Sequence, residues 1–237
     1  MRILALDAAT EACSVALLAN DQFTVRTLES GRSSAPKILR MAEEVLAEAQ
    51  VSLSMLDGIA ASIGPGSFTG VRITVAVAQG LAFGAGLKVV PVTTLEALAL
   101  QVLSDPVTHA IACLDARMGE VYWGGFAADA VRGVIECSAS RVGPPDSVAL
   151  SPPDGMASSP PGRFVGIGRG FTAYPRLAGM LGVELGSAHA QALPNAREIA
   201  RLGALRFASG GGVDPADLMP LYLRDKVALT EAERARA

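Results

Sequence analysis

The sequence predicts an α/β fold of two similar lobes, each a mixed sheet flanked by helices, with a cleft between them. Three observations carry this. Arg2-Ile-Leu-Ala-Leu-Asp7-Ala-Ala-Thr10 is an apolar strand that ends in an aspartate, turns, and returns as a second strand from Cys13 to Leu18. About half a chain later Ala110-Ile-Ala-Cys-Leu-Asp115-Ala-Arg-Met-Gly119 repeats the pattern and returns as Val121-Tyr-Trp-Gly-Gly-Phe126. Strand-like and helix-like segments alternate after each opening, which marks an internally duplicated, layered α/β architecture.

After the first hairpin come a polar loop, Glu29 to Ser34, and a helix from about Pro36 to Gln50, with Pro36 near its first turn, where a missing N–H is harmless. Ile59 to Ile63 is a short buried strand. Gly64, Pro65 and Gly66 break it before an Ala-rich helix that starts near Gly70. Val89 to Val92 is another strand, and Thr93 or Thr94 caps a helix from Leu95 to Leu103 with Glu96 in its first turn. A boundary at about Asp105-Pro106 gives lobes 1–104 and 105–218, and a tail, 219–237, is free to return to the first lobe. In the second half, Val142 to Gly162 holds three Pro-Pro pairs and several serines, a surface excursion. Phe164 to Ile167 is a strand followed by a turn kept bare by Gly168 and Gly170. Asn195 caps a helix that runs to Ala208 and stops at Gly210 to Gly212.

Composition excludes several function classes. With 237 residues, half of them hydrophobic, the chain can build a sizeable core, and a net charge of −3 offers no overall basic field for nucleic acid. Three cysteines, Cys13, Cys113 and Cys137, form no C-x-x-C pair and fit free thiols in a reducing cytoplasm. The apolar start, Ile3 to Leu6, is too short for a signal peptide, and the charge-free run between Arg72 and Lys88 falls short of the roughly 20 residues a membrane span needs. His109 and His189 are the only histidines and have no metal-site spacing, so neither a metal centre nor a catalytic residue is predicted.

The stretch Ser62-Ile-Gly-Pro-Gly-Ser-Phe-Thr-Gly-Val-Arg72 imitates several catalytic loops and matches none. Gly64, Gly66 and Gly70 miss the dinucleotide spacing by one residue, and Val71-Arg72 stands where a P-loop has Lys followed by Ser or Thr. Ser67 lacks the flanking glycines of a hydrolase elbow. The loop is either a structural turn that aims N–H groups and caps a helix, or a contact for a ligand or partner. Asp7 and Asp115, with Thr10, are the candidate cofactor-binding residues. As strand ends at the cleft mouth, the aspartates either hold a metal-bound phosphate or accept N–H bonds in their own turns. Glu11 and Glu120 lie just beyond them.

Two helices carry more apolar surface than one core uses. Around the first, Ile38, Met41 and Val45 belong to an apolar arc of roughly 160°, wider than a one-sided helix needs. In the second, only Thr74 and Gln79 interrupt the apolar circumference from Ile73 to Gly84, and Ile73, Val77, Gly80 and Gly84 share one stripe. Such helices are either sunk in their own core or sandwiched against a partner, and the glycines would admit a close neighbour.

Gly64-Pro-Gly-Ser-Phe-Thr-Gly70-Val-Arg72, together with Leu4-Ala-Leu-Asp7, Pro91-Val-Thr-Thr-Leu-Glu-Ala-Leu98 and Asp115-Ala-Arg-Met-Gly-Glu-Val-Tyr-Trp123, closely resembles the bacterial TsaB family, from residue 1 to about Asp225. The resemblance implies an actin-like or Hsp70-like, ribonuclease H-like duplicated fold. It also implies a non-catalytic dimerisation subunit of the complex that forms threonylcarbamoyladenosine in tRNA, beside the anticodon. The implied partners are TsaD, which is catalytic and metal-bearing, and TsaE, an ATPase. A homodimer is implied when the chain is alone, with tRNA met only through the complex and no membrane. No intrinsic cofactor is implied, with ATP or ADP and magnesium expected only at the complex boundary. Two departures stand out: Gly31-Arg-Ser-Ser-Ala-Pro36 lacks the family's His-Ser pair, and Ala9 replaces the glycine that ATP-binding relatives keep in the first phosphate turn. The alternatives are a small-molecule kinase or ATPase of the same fold, using Asp7 and Asp115, and a serine hydrolase using Ser67.

Overall fold

The structure, a computed structural model, describes residues 1–29, 37–104, 107–150 and 164–224. Two mixed sheets repeat one plan. In the first lobe β1 (Arg2–Asp7), β2 (Ala12–Ala19) and β3 (Gln22–Glu29) form an antiparallel meander. The strands β4 (Gly58–Ser62) and β5 (Val89–Val92) then add in parallel on the other side of β1, for the order β3-β2-β1-β4-β5. In the second lobe β6 (His109–Arg117), β7 (Glu120–Asp129) and β8 (Gly133–Gly143) repeat the meander, and β9 (Phe164–Ile167) runs parallel to β6, for the order β8-β7-β6-β9. Asp7 closes β1, whereas Asp115, expected to end the equivalent strand, lies two residues before the end of β6, at a register shift in its pairing with β7.

Each predicted hairpin is in fact a three-stranded meander. Asn20 and Asp21 take the left-handed φ values of 51° and 61° that a tight two-residue hairpin demands, which returns the chain as β3. As an edge strand β3 is half exposed, so its apolar alternation is weak. The strand β8 includes Val142 and Gly143, so the surface excursion begins later than expected, and residues 151–162 of it lie outside the described part. So do the Gly31 to Pro36 segment, the Asp105-Pro106 boundary and the tail beyond Arg224.

The four predicted helices fall close to their expected places, and three short helices between Gly170 and Ala190 add to them. They are α1 (Ile38–Glu48), α2 (Phe68–Ala85), α3 (Thr94–Leu100), three short helices α4 (Gly170–Ala173), α5 (Leu177–Leu181) and α6 (Ser187–Ala190), and α7 (Ala196–Ala208). Thr93 caps α3 in a capping box: its hydroxyl accepts from Glu96 N, and the Glu96 carboxylate accepts from Thr93 N. Asn195 caps α7. The helix α2 starts two residues before Gly70, capped by the Ser67 hydroxyl. By length and composition alone α2 could cross a membrane. In the fold, its Val71, Thr74, Val75, Ala78 and Ala82 are buried against the first sheet.

The layers do not follow the division at residues 104 and 105. The outer face of the first sheet, with Leu4, Leu6, Val15 and Leu17, is covered by α1 and α2. Its inner face, with Ile3, Ala5, Ala16 and Ala60, is covered by α7, which comes from the second half of the chain. Conversely α3, from the first half, packs on β6, β7 and β8 and touches α7. One continuous core runs from the first sheet through this shared helical layer to Ala112, Leu114, Phe126 and Ile167 of the second. The helices have exchanged lobes. Periodicity tells which face of a helix is apolar but not which sheet it covers. Leu218 is buried in the outer core of the first lobe, so the chain returns there as the tail begins.

Candidate functional site

The cleft between the lobes has a volume of about 800 Å³. Its walls are the β1–β2 turn, the N-terminus of α2, the β6–β7 turn and the segment from Leu221 to Arg224.

The first turn is closed by its own chain. Asp7 is fully buried, and its Oδ1 accepts from the Ser62 hydroxyl at 2.5 Å and from Ala9 N at 3.0 Å. Its Oδ2 has no partner, and burial pushes the carboxyl up to about 6. Ala8 N donates to the Thr74 hydroxyl at 3.0 Å, and Ser67 N donates to the Ala9 carbonyl at 2.6 Å. The glycine loop makes this closure sterically feasible. A Cβ at Gly66 would stand 2.1 Å from the Ala9 oxygen, and one at Gly70 1.9 Å from the Ala8 oxygen. Gly66 and Gly70 are thus contact surfaces for the first hairpin turn, while Pro65 to Phe68 of the same loop also line the cleft.

The second turn uses its aspartate in the same inward way. Asp115 accepts from Arg117 N at 2.9 Å and from the Arg117 guanidinium at 3.0 Å. Arg117 has a left-handed φ of 61° and reaches across the cleft to Glu11 at 2.7 Å. Arg224 pairs with Glu120 and donates to the Ala116 carbonyl at 3.1 Å. Glu11 and Glu120 are therefore ion-pair partners of Arg117 and Arg224, neither of which is among the candidate site residues of the sequence. The signal for Arg117 was its place in a tight Arg-Met-Gly turn.

Of the three candidate cofactor residues, Thr10 and Asp115 line the cleft, whereas Asp7 is sealed beneath the turn. Thr10 Oγ1 is buried without a partner. Among the described residues no group of three or more His, Cys, Asp or Glu is placed to hold a metal ion. His109 stacks edge-on against Phe164, with ring centroids 5.2 Å apart, and its Nδ1 lies 2.9 Å from the Thr108 hydroxyl. The three thiols are free and buried, and burial pushes Cys13 and Cys113 up to about 12 and Cys137 to about 11, away from the reactive thiolate form.

The seven predicted interface residues divide into two groups. Ile38, Met41 and Val45 are buried in the first lobe, so these three serve the chain's own core and that part of the expectation is corrected. On α2, Ile73 and Val77 are half-buried, and Gly80 and Gly84 are exposed. A Cβ at either glycine would meet nothing within 4 Å. Ile73, Ala76, Val77, Gly80, Phe83 and Gly84 follow helical spacing along one stripe, with Phe83 60% exposed. Leu39 of α1 is 45% exposed.

A sequence model of the TsaD family, described as tRNA N6-adenosine threonylcarbamoyltransferase, matches residues 28–136. The chain is 36% identical over 230 residues to the tRNA threonylcarbamoyladenosine biosynthesis protein TsaB of Escherichia coli strain K12, covering 96% of each chain. It is 34% identical to the protein of that name from Haemophilus influenzae, covering 96% of this chain and 95% of the other. Two solved structures from Pseudomonas aeruginosa superpose on it. One is of an uncharacterized protein with similarity to peptidase YEAZ, with a TM-score of 0.81, 36% identity, and coverage of 94% of this chain and 99% of the other. The second, of YeaZ, has a TM-score of 0.79 and 34% identity, covering 93% and 100%.

Proposed function

Since the chain belongs to the TsaB family, with the actin-like duplicated fold, we propose that it takes part in tRNA threonylcarbamoyladenosine biosynthesis as a non-catalytic subunit that supports TsaD. In this reading TsaD transfers the threonylcarbamoyl group to N6 of the adenosine beside the anticodon. This chain holds TsaD through the outer face of α2, and pairs with a second copy of itself when TsaD is absent. TsaE joins the assembly, tRNA is met through the complex, and the setting is the cytoplasm.

The observation that carries this reading is the uncovered stripe of α2. A helix apolar around most of its circumference from Ile73 to Gly84, packed on one side and bare at Ala76, Gly80, Phe83 and Gly84, has a second surface left to bury. The two glycines let another helix approach closely. A non-catalytic role is supported by the first turn: Ala8 N and Ala9 N are both spent inside the chain, which leaves them no bond for a phosphate. Ser67 is engaged as a helix cap rather than poised beside a histidine. The same facts weigh against the kinase and hydrolase alternatives. Any nucleotide with magnesium is placed, in this reading, at the boundary of the assembled complex.

Gly80→Arg and Val77→Arg test the surface. Position 80 has room for a side chain, so the Gly80 variant folds, yet an unpaired charge at a helix seam costs roughly several kcal/mol of association. The folded variants are expected to lose co-elution with TsaD in size exclusion and to stop supporting threonylcarbamoyl transfer to unmodified tRNA in a reconstituted reaction with TsaD and TsaE. A folded variant that still co-elutes removes α2 as the interface.

A further inference from the structure

The last six described residues, Met219–Arg224, join the two lobes across the mouth of the cleft. Leu218, just before them, is held in the core of the first lobe, with its carbonyl accepting from the Gln79 side chain at 3.1 Å. Leu221 N then donates to the Ile63 carbonyl at 2.8 Å, beside the glycine loop. The Tyr222 ring lies against Phe68, with centroids 5.9 Å apart, and its hydroxyl accepts from Arg72 Nε at 2.8 Å, while the Arg72 guanidinium sits 3.8 Å above the Phe68 ring. Two residues later the chain is on the other lobe. There Arg224 bonds to the Ala116 carbonyl and to Glu120, with its guanidinium 5.9 Å from the Tyr122 ring centre.

We propose that Met219–Arg224 is a clasp that fixes the opening between the lobes, so that the cleft is a braced seam rather than a jaw that closes on a ligand. The anchors on the two sides differ in chemistry. On the first lobe the clasp is held by aromatic stacking and a backbone bond. On the second it is held by a guanidinium whose Arg224 and Glu120 side chains are only 18% and 32% exposed, so the pair is less screened than a surface one. The Arg117 to Glu11 pair braces the same mouth from the opposing turns. Tyr222 also grips the first turn of α2 through Phe68 and Arg72. The clasp therefore ties the helix with the uncovered apolar stripe to the second lobe, and the two move as one body. The inference concerns the isolated chain and stands whether or not α2 meets TsaD.

Hydrogen exchange read by mass spectrometry on the full chain tests it. With Arg224→Ala or Tyr222→Ala, amides of both opposing turns, Ala8 to Glu11 and Ala116 to Gly119, are expected to exchange about tenfold faster while α7 keeps its protection. Charge reversal by Arg224→Glu has the same effect, and adding Glu120→Arg restores protection. Faster exchange confined to residues 219–224 overturns the proposal, because the segment is then only a bound tail. Faster exchange everywhere, α7 included, overturns it too, since the clasp would then be part of general stability. So does failure of the reversed pair to restore the second turn.

Discussion

At the scale of single residues, Asp7 is a carboxyl held in the core at a cost. It is fully buried, one oxygen is unpartnered, and the two bonds it accepts do not offset its desolvation, so its carboxyl titrates near 6 against 3.8 when exposed. Between those values the folded chain holds a proton that the unfolded chain has released, so the contribution is present below about pH 4 and is lost as pH rises through 6. A shift of about two units corresponds to roughly 3 kcal/mol. Asp7→Asn keeps an oxygen for Ser62 and Ala9 and cannot ionise. In urea unfolding the variant is expected to match the parent near pH 4 and to be more stable by about 2–3 kcal/mol near pH 8. A variant weaker at both pH values would mean that the carboxylate form is well solvated after all. The aspartate could be placed at a strand end from sequence, but its isolation could not, since Thr74 and Ser67 close over the turn at Ala8 and Ala9 from far along the chain.

At the scale of elements, α2 shows the same residue type in two opposite uses. Gly70 is pressed against the Ala8 carbonyl, where an added methyl has no room and the neighbour is backbone, which cannot swing aside. Gly70→Ala is therefore expected to cost about 3 kcal/mol in a denaturant melt. Gly80 faces open space in mid-helix, so Gly80→Ala should stabilise the isolated chain by about 0.5–1 kcal/mol, and on the proposed α2 interface it should weaken association with TsaD. Equal effects at the two positions would contradict this account of the helix. Elements of this kind were largely legible: the cap at Thr93, the cap at Asn195 and the short strand β5 follow from local residue chemistry. The strands β3 and β8 were not, because both are half-solvated and their alternation is blurred, whereas β5 and β9, also at sheet edges, are buried apolar runs. The glycine loop could be recognised as a failed phosphate cradle, yet no spacing rule says what lies opposite a glycine. Ile38, Met41 and Val45 were misplaced for a related reason: a wide apolar arc does not reveal how much surface a sheet and a neighbouring helix together can cover.

At the scale of the whole molecule, the exchanged helices decide how the fold holds together. The duplication can be read from two strand-aspartate openings, and the strands divide between lobes as that reading implies. Its energetic consequence lies in α3 and α7, each of which leaves the half that encodes it. Without the second half, the inner face formed by Ile3, Ala5, Ala16 and Ala60 is uncovered, and Leu95 and Leu98 of α3 lose the sheet that buries them. Neither half then has a closed core, so the lobes are expected to unfold together. Trp123, the only tryptophan, lies in the second sheet with its indole N–H donating to Ala149, so its fluorescence reports that lobe alone. Far-UV circular dichroism reports both. In urea the two signals should give one shared midpoint, and a fragment of residues 1–104 should show no cooperative transition. Separate midpoints, or a folded fragment, would mean that the shared helical layer is an interface between two independent units rather than one core.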